Sequence, residues 1–488
     1  MSLAGLEAAY FLPLALLLYW LVPQRAPWQN AVLLVASYVF YASWSMEWLP
    51  LLLGATLFDF VVARFAEPRM AAEPRTRRRW LVLGLVANLG LLGWFKYRSF
   101  FLESLTPLLG ALGLDPAPGV LAVALPIGLS YYTLIKVGYL LDVYQGRVPA
   151  SRSLLEFATF VAFFPQVVAG PITRAGRMLP QLAAARRLTA DAVLAGGAAF
   201  LTGWVFKAYI ADWIAPAIVD PVFAAPGDGG AFAHWLALVG YAIQVFGDFA
   251  GYSLLAIGTA RWFGLELPVN FDRPFLSTDL PEFWRRWHIS LNTWLFDYLY
   301  GPWVTGSSWL RGRLALALVL VFALSGLWHG AQWTFVVWGL LHGLALAVHH
   351  GYDQWYRARC RVDRRWVERR RSASYLGVSW GLTQLWFLAS LILFRAADLR
   401  QAGAFARGLL GGGSGFPLGL DEVDAINLLA AFAIVGAHHL LGLKLLQPWS
   451  QRAARAPAVL QGAVVGLLVV WLLIFAPLGR GTFIYAQF

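Results

Sequence analysis

The sequence predicts an all-α integral membrane protein with many crossings, and three observations support this fold class. Of the 488 residues, 59% are hydrophobic and only 13% are charged, which is more apolar surface than a water-soluble protein could bury. Apolar runs of about 20 residues, the length that a helix needs to cross the hydrocarbon core, recur along the chain. The loops between these runs differ in charge in the way that membrane topology requires.

Each apolar run predicts one helix, or two where the run is long enough. The run at 313–350 could form two crossings, and the whole set predicts roughly eleven to thirteen transmembrane or re-entrant helices. In chain order the runs lie at 6–22, 29–45, 47–66, 80–101, 119–141, 154–170, 191–218, 232–259, 313–350, 376–394, 425–446 and 458–477.

The formal net charge of +12 is concentrated in a few loops. Nucleic-acid binding is one interpretation of such clusters, but the positive-inside rule explains them better, since the loops at 107–118, 219–231 and 398–424 are poor in Lys and Arg. We therefore predict that the protein contacts membrane lipids and binds no nucleic acid. The predicted topology places the basic loops in the cytoplasm and both ends of the chain outside. The basic clusters lie at 75–79, 174–187, 357–371 and 452–455.

Histidine is the residue type that raises the question of chemistry. Cys360 is the only cysteine, so a disulfide framework or a cysteine metal cluster is excluded, and no metal is predicted. His329 lies within "FALSGLWHGAQWTFVVWGLLHG", where a buried imidazole needs a partner or a water-filled cavity, so that function and helix packing both remain open. His342 would lie on the opposite face of an unbroken helix, and packing explains it better.

The stretch "STDLPEFWRRWHISLNTWLFDYLYGPW" is typical of an amphipathic helix at the membrane surface. Asp279 is its predicted N-cap, with Glu282 as the capping partner. Arg285 and Arg286 could snorkel to the surface or meet phosphate, whereas His288 is left unexplained by an interfacial helix. One face carries apolar residues at helical spacing, namely Phe283, Trp287, Leu291, Trp294 and Tyr298.

Two histidine-bearing stretches, "FWRRWHISLNTW" followed by "DYLY" and "SGLWHGAQWTFVVWGLLHG", resemble signature motifs of the membrane-bound O-acyltransferase family. Within that family they resemble the bacterial branch that includes alginate O-acetylation proteins and the D-alanyl transfer proteins of teichoic acid modification, and the closing "TFIYAQF" (482–488) favours the alginate-type subgroup. The resemblance extends in order along nearly the whole chain, through "SYVFYASW", "NLGLLGWFKY", "LPIGLSYYTLIKVGYLLDVYQG", "FFPQVVAGPITR", "GDFAGYSLLAIG" and "FLASLILFRAADL".

This resemblance implies one membrane-embedded domain over residues 1–488, with helices around a central tunnel that links a cytoplasmic donor site to an outward-facing acceptor site. In that fold, 279–300 would be an interfacial or re-entrant helix that carries the first signature histidine, His288. The helices of 313–350 would carry the catalytic histidine, His329.

The resemblance also implies roles for individual side chains. His329 would be the general base that takes the proton of the attacking hydroxyl, and His288 would orient the donor or donate to the developing oxyanion. Arg285 and Arg286 would lie near the anionic donor. The expected supporting residues are Asp248, which would orient or polarise a reacting group, Asn292, which replaces the more usual Ser, and Trp328.

The expected reaction moves an acetyl group from cytoplasmic acetyl-CoA, a substrate and not a bound cofactor, across a bacterial inner membrane for O-acetylation of an exported polysaccharide. A periplasmic or membrane-anchored acetyltransferase is the expected partner. Three alternatives remain open: D-alanyl or other acyl transfer of the teichoic-acid type, a polysaccharide or lipid exporter gated by the histidines, and a non-catalytic scaffold for a periplasmic acetyltransferase.

Overall fold

The chain is helical throughout the part that the structure describes. The computed structural model describes residues 2–68, 73–111, 124–227, 230–306, 309–411, 420 and 422–454, and no strand occurs among them. The all-α prediction is therefore confirmed for these residues. The predicted helix at 458–477 and the motif at 482–488 lie outside them.

The α-helices follow one another along the described part of the chain. Those of the first part of the chain are α1 Leu6–Leu21, α2 Ala26–Ser45, α3 Leu49–Ala66, α4 Pro74–Leu92, α5 Arg98–Ala111, α6 Leu129–Tyr144, α7 Leu154–Ala162, α8 Phe164–Val167, α9 Ala175–Ala183, α10 Ala190–Trp204, α11 Asp212–Ile214 and α12 Asp220–Ala224. Those of the second part are α13 Ala231–Trp262, α14 Leu280–Arg286, α15 Ile289–Leu295, α16 Gly301–Thr305, α17 Leu314–His329, α18 Trp333–Val362, α19 Arg364–Arg371, α20 Ala373–Arg395, α21 Leu399–Gly408 and α22 Glu422–Ala454.

Within the described residues, seven helical segments are long and apolar enough to cross a membrane, and two shorter apolar helices accompany them. Roughly eleven to thirteen transmembrane or re-entrant helices were predicted, and some of the apolar runs behind that number are divided in the structure. The run at 154–170 is broken at Phe163 into α7 and α8, because Pro165 lacks the amide hydrogen that a continuing helix needs. The seven segments are Ala26–Ala66, Pro74–Thr106, Ala190–Ala224, Ala231–Trp262, Trp333–Val362, Ala373–Arg395 and Glu422–Gly442.

The described residues form two compact units, one of 2–202 with 252–268 and one of 203–251 with 269–454. The predicted single membrane-embedded domain stays a prediction. In the first unit, Arg186 is only 5% exposed, and it donates to the Tyr19 hydroxyl at 2.6 Å and to Asn30 Oδ1 at 2.8 Å. This arginine of the basic cluster at 174–187 is therefore part of the packed interior.

In the second unit, α17 and α18 pack closely because glycines line their contact. A Cβ atom on Gly326 would overlap the carbonyl oxygen of Phe335, and one on Gly339 would overlap that of Phe322. The chain turns between the two helices at Gly330, where α17 ends. The prediction that 313–350 forms two helices is confirmed, and small residues at the turn and the contact explain why.

Candidate active site

The segment that carries His288 begins with the predicted cap. The Asp279 side chain accepts a hydrogen bond from the amide of Glu282 at 2.7 Å. The Glu282 carboxylate in turn accepts from the amide of Thr278 at 2.8 Å, one residue before the position that a standard capping box would use. The predicted start of α14 is confirmed.

The predicted continuous helix over 279–300 is wrong, because the chain breaks at Trp287 and His288. His288 has φ 44° and ψ 52°, a left-handed conformation that is uncommon for a residue with a side chain. The side chain of Asn292 donates to the carbonyl oxygens of Trp284 and Trp287, which satisfies the end of α14 without a further helical turn. After α15 the segment continues as a π-helix over Phe296–Tyr300.

A neighbouring loop holds this break in place. The amide of Asp272 donates to the carbonyl oxygen of Arg286, and the amide of Ile289 donates to that of Asn270, each at 2.9 Å. His288 Nδ1 lies 3.3 Å from Asn270 Oδ1, and its ring meets that of Phe249 edge-on at 4.4 Å. His288 is 1% exposed, and burial together with the nearby second imidazole lowers its pKa well below the usual value.

His329 is the last residue of α17, so its position is fixed by the close contact of α17 with α18. Its side chain is 5% exposed. Its ring lies 5.4 Å from that of Trp338 on α18 and 5.3 Å from that of Phe394 on α20. The imidazole is thus enclosed by aromatic rings from two helices besides its own.

The structure brings His288 and His329 together, with ring centroids 6.3 Å apart. The buried ring of Trp328 lies near both, at 6.2 Å from His288 and 5.1 Å from His329. Nε2 of His288 is buried and has no hydrogen-bond partner among the described residues. An imidazole held in an apolar enclosure is a group that can exchange a proton or a hydrogen bond with a substrate, which makes this pair the candidate catalytic site.

His342 lies in the same helix pair and has a different environment. The indole of Trp386 donates to its Nδ1 at 3.4 Å, and its ring meets those of Trp284 and Trp338 at 4.9 and 4.8 Å. These contacts are typical of a packed core histidine, as the sequence predicted.

Asp248 belongs to a buried ion-pair cluster. Its carboxylate lies 2.7 Å from Lys207 Nζ, which also pairs with Asp212 at 2.5 Å. Lys207 and Asp248 are 2% and 1% exposed. The charge of Asp248 therefore compensates the buried ammonium group of Lys207. Removal of either partner would leave an uncompensated buried charge, which would destabilise the protein.

A cavity of about 770 Å³ lies against α14, α15, α17 and α18. Trp284, Ile289 and Phe322 contribute apolar wall, and Arg285, Arg357 and Arg370 contribute guanidinium groups. Its wall includes the residue directly after His288, so the cavity borders the backbone break. A site with apolar wall and a few charged groups is of the kind that binds a large amphipathic ligand.

The two arginines of "FWRRWH" differ in their surroundings. Arg285 lines the cavity and has no ion-pair partner within the described ranges. Arg286 pairs with Glu282 at 2.7 Å and donates to the carbonyl oxygen of Arg273. Asn292 lines the same cavity as Arg285 while it caps the end of α14.

Three residues of the candidate site were not singled out from the sequence. Arg357 and Arg370 line the cavity and both pair with Asp353, at 2.6 and 2.7 Å. The basic cluster at 357–371 was visible in the sequence, but nothing in its spacing showed which of its arginines line a cavity. Asn270 lies 18 residues before His288, and only the fold brings them together.

Comparison with known proteins agrees with this geometry. Residues 145–369 match the membrane-bound O-acyltransferase family, MBOAT. A probable alginate O-acetylase of Azotobacter vinelandii is 43% identical over 342 residues, which are 69% of this chain and 66% of that protein. A probable alginate O-acetylase of Pseudomonas aeruginosa is 37% identical over 459 residues, 92% of this chain and 83% of that protein.

A third relative is named for a different acceptor. A peptidoglycan O-acetyltransferase of Helicobacter pylori is 35% identical over 373 residues, which are 70% of this chain and 69% of that protein. Similarity at this level over most of the length of both sequences, together with the long apolar helices, shows that the chain belongs to the membrane-bound O-acyltransferase family and is a multi-pass membrane O-acyltransferase.

Proposed function

We propose that this enzyme takes an acetyl group from cytoplasmic acetyl-CoA and passes it across a bacterial inner membrane for O-acetylation of an exported polysaccharide. The observation that carries the proposal is the enclosure of His288 and His329, 6.3 Å apart and both buried, beside a cavity with guanidinium groups in its wall. Two relatives, both probable alginate O-acetylases, support acetyl as the transferred group and a polysaccharide as the acceptor.

In the proposed reaction, His329 is the general base. The hydroxyl oxygen of the acceptor attacks the thioester carbonyl carbon while its proton passes to the imidazole of His329. The tetrahedral intermediate then expels the coenzyme A thiolate, which takes the proton from the imidazolium. Atoms and charge balance without a metal or a redox partner, and general-base assistance of this kind contributes roughly 10²–10⁴-fold in rate.

The cavity is the proposed donor site. Arg357 and Arg370 belong to the basic cluster that the positive-inside rule assigns to the cytoplasm, so the cavity opens on the side where coenzyme A occurs. Asp353 already pairs with both of these arginines, which leaves Arg285 as the guanidinium best able to bind a phosphate group. Membrane lipid surrounds the apolar helices.

The acceptor side requires a partner in this proposal. Within the described residues, the longest connection between α-helices is the loop at 263–279, and no compact unit occurs besides the two helical ones. A periplasmic or membrane-anchored acetyltransferase would receive the acetyl group and place it on the polymer. Peptidoglycan is a second candidate acceptor, favoured by the Helicobacter relative.

The test uses the full chain in nanodiscs with acetyl-CoA labelled in the acetyl group. We expect thiol release and label transfer to a periplasmic fraction that contains the partner, and little transfer to polysaccharide alone. If the protein consumes no acetyl-CoA but uses a carrier-bound D-alanyl thioester, the acetyl proposal is wrong and D-alanyl transfer takes its place. Efficient acetylation of an oligosaccharide by the purified protein alone would contradict the relay.

A further inference from the structure

We infer that Asn270 is a positioning residue that holds His288 in the neutral form with its proton on Nδ1, so that Nε2 faces the reacting groups only as a hydrogen-bond acceptor. This inference rests on the proposed function for its catalytic meaning, but the hydrogen bonds that support it are independent of any substrate.

The argument begins with a backbone amide. The amide of Ser290 donates to Asn270 Oδ1 at 3.1 Å, and the Ser290 hydroxyl reaches the same atom at 2.8 Å. A backbone N–H group can only donate, so the Asn270 atom at this position is the carbonyl oxygen and not the amide nitrogen. The orientation of the Asn270 side chain is therefore decided by its neighbours.

The same oxygen is the partner of His288. It lies 3.3 Å from Nδ1, and a carbonyl oxygen only accepts, so Nδ1 carries the proton. In a neutral imidazole the other nitrogen then carries a lone pair. Nε2 of His288 is buried and has no hydrogen-bond partner among the described residues, so its lone pair is not used within that part of the protein.

The surroundings also disfavour a charged ring. His288 is 1% exposed, and Phe249 from α13 covers it edge-on. Among the described residues, the titratable group that faces it is His329 on α17, which disfavours a positive charge on His288. Asn270 is uncharged. Both causes lower the pKa of His288, in agreement with a neutral ring at physiological pH.

The consequence concerns the role of His288. A neutral ring with its proton on Nδ1 cannot donate from Nε2 to a developing oxyanion. Of the two roles expected from the family resemblance, orientation of a substrate remains and oxyanion stabilisation is removed. His288 then accepts a hydrogen bond from the attacking hydroxyl or from a donor N–H group, and His329 remains the proposed general base.

The tautomer can be measured without any substrate. We propose magic-angle-spinning NMR of the full chain in nanodiscs with histidine labelled by ¹⁵N and ¹³C, where the His288 signal is identified by its loss in His288→Ala. The expected spectrum shows a neutral ring protonated on Nδ1. A ring protonated on Nε2, or an imidazolium at neutral pH, would overturn the inference even if acyl transfer is fully active.

A pH profile gives the second readout. Asn270→Asp keeps an acceptor of the same shape 3.3 Å from Nδ1 but adds negative charge, which raises the pKa of His288. We expect the acid limb of kcat/KM to move to higher pH by about one unit or more. Ser290→Ala is the matched control, since it removes a hydrogen bond to the same oxygen without adding charge, and its profile should not move.

The outcomes separate the two proposals. A wild-type protein that shows the Nδ1 tautomer but consumes no acetyl-CoA would contradict the proposed function alone. An active enzyme whose acid limb is the same in Asn270→Asp and wild type would contradict the positioning role of Asn270 alone.

Discussion

The imidazole rings of His288 and His329 lie 6.3 Å apart, although His288 is the cap residue before α15 and His329 is the last residue of α17. Each ring is placed by a break in the helical chain, His288 by its own left-handed backbone and His329 by the turn that follows at Gly330. Non-helical backbone inside a membrane protein is tolerated where it is buried in protein or lines a cavity. These two breaks bring the two rings close together.

The first prediction separates chemistry from packing with two histidines of the same helix pair. His329→Ala should lower kcat by roughly 10²–10⁴-fold, the usual range for a general base, with normal membrane insertion. His342→Ala should instead lower the thermal unfolding temperature, because it removes a buried side chain from an aromatic cluster, while the folded protein keeps most of its activity. The measurements are acetyl-CoA consumption and thermal unfolding in the same nanodiscs. Near-normal activity of His329→Ala would refute the assignment.

The second prediction concerns the glycine contact that supports His329. Gly326→Ala should destabilise the protein by about 1–3 kcal/mol, because its Cβ would overlap the carbonyl oxygen of Phe335 and force α17 away from α18. We also expect a lower kcat, since His329 lies one turn further along α17. Gly377→Ala on α20 is the control, because nothing lies within 4 Å of its added Cβ. Equal stability of both variants would show that the contact is not tight.

Local features of the candidate site could be predicted from the sequence. The cap at Asp279 depends on residues three positions apart, so its chemistry is complete within one turn of helix. The burial of Phe283, Trp287 and Leu291 follows from their apolar character. His329 stood out because an imidazole inside an apolar run needs a reason to be there.

Features that depend on distant residues could not be predicted. The helical spacing of the aromatic residues indicated one helix through His288, whereas the hydrogen bond that Asn270 accepts from the Ile289 amide and the one that Asn292 donates to Trp284 favour a break. The spacing of apolar residues reflects only the character of the side chains. It carries no information about a distant loop that forms hydrogen bonds with the backbone of this segment. For the same reason, Arg285 and Arg286 looked alike in sequence although only Arg285 lines the cavity.

The third prediction uses the single cysteine of the chain as a reporter of topology. Cys360 lies on the basic end of α18 and is partly exposed. Because arginines are costly to translocate, Cys360 should react with a membrane-impermeant maleimide only after the cells are opened. Cys360→Ser is the blank for this measurement. Labelling in intact cells would put the basic cluster at 357–371 outside and would contradict a cytoplasmic donor site.

The last prediction separates the two arginines of "FWRRWH" by kinetics. Arg285→Ala should raise KM for acetyl-CoA by roughly tenfold or more, because a charged hydrogen bond to phosphate contributes about 1.5–3 kcal/mol, with little change in kcat. Arg286→Ala should leave KM unchanged, since its guanidinium already pairs with Glu282. The measurement is a donor titration of both variants in nanodiscs.

The same pair of variants also tests whether the two arginines serve only to anchor α14 to lipid. If the arginines only held α14 against anionic headgroups, both variants would lose expression or thermal stability by similar amounts, and neither would change KM. A donor contact made equally in the ground state and the transition state changes KM selectively. Arg286→Ala should show only a small loss of stability, because an ion pair between residues four apart on a helix contributes about 0.3–0.5 kcal/mol. An unchanged KM in Arg285→Ala would remove this residue from the donor site.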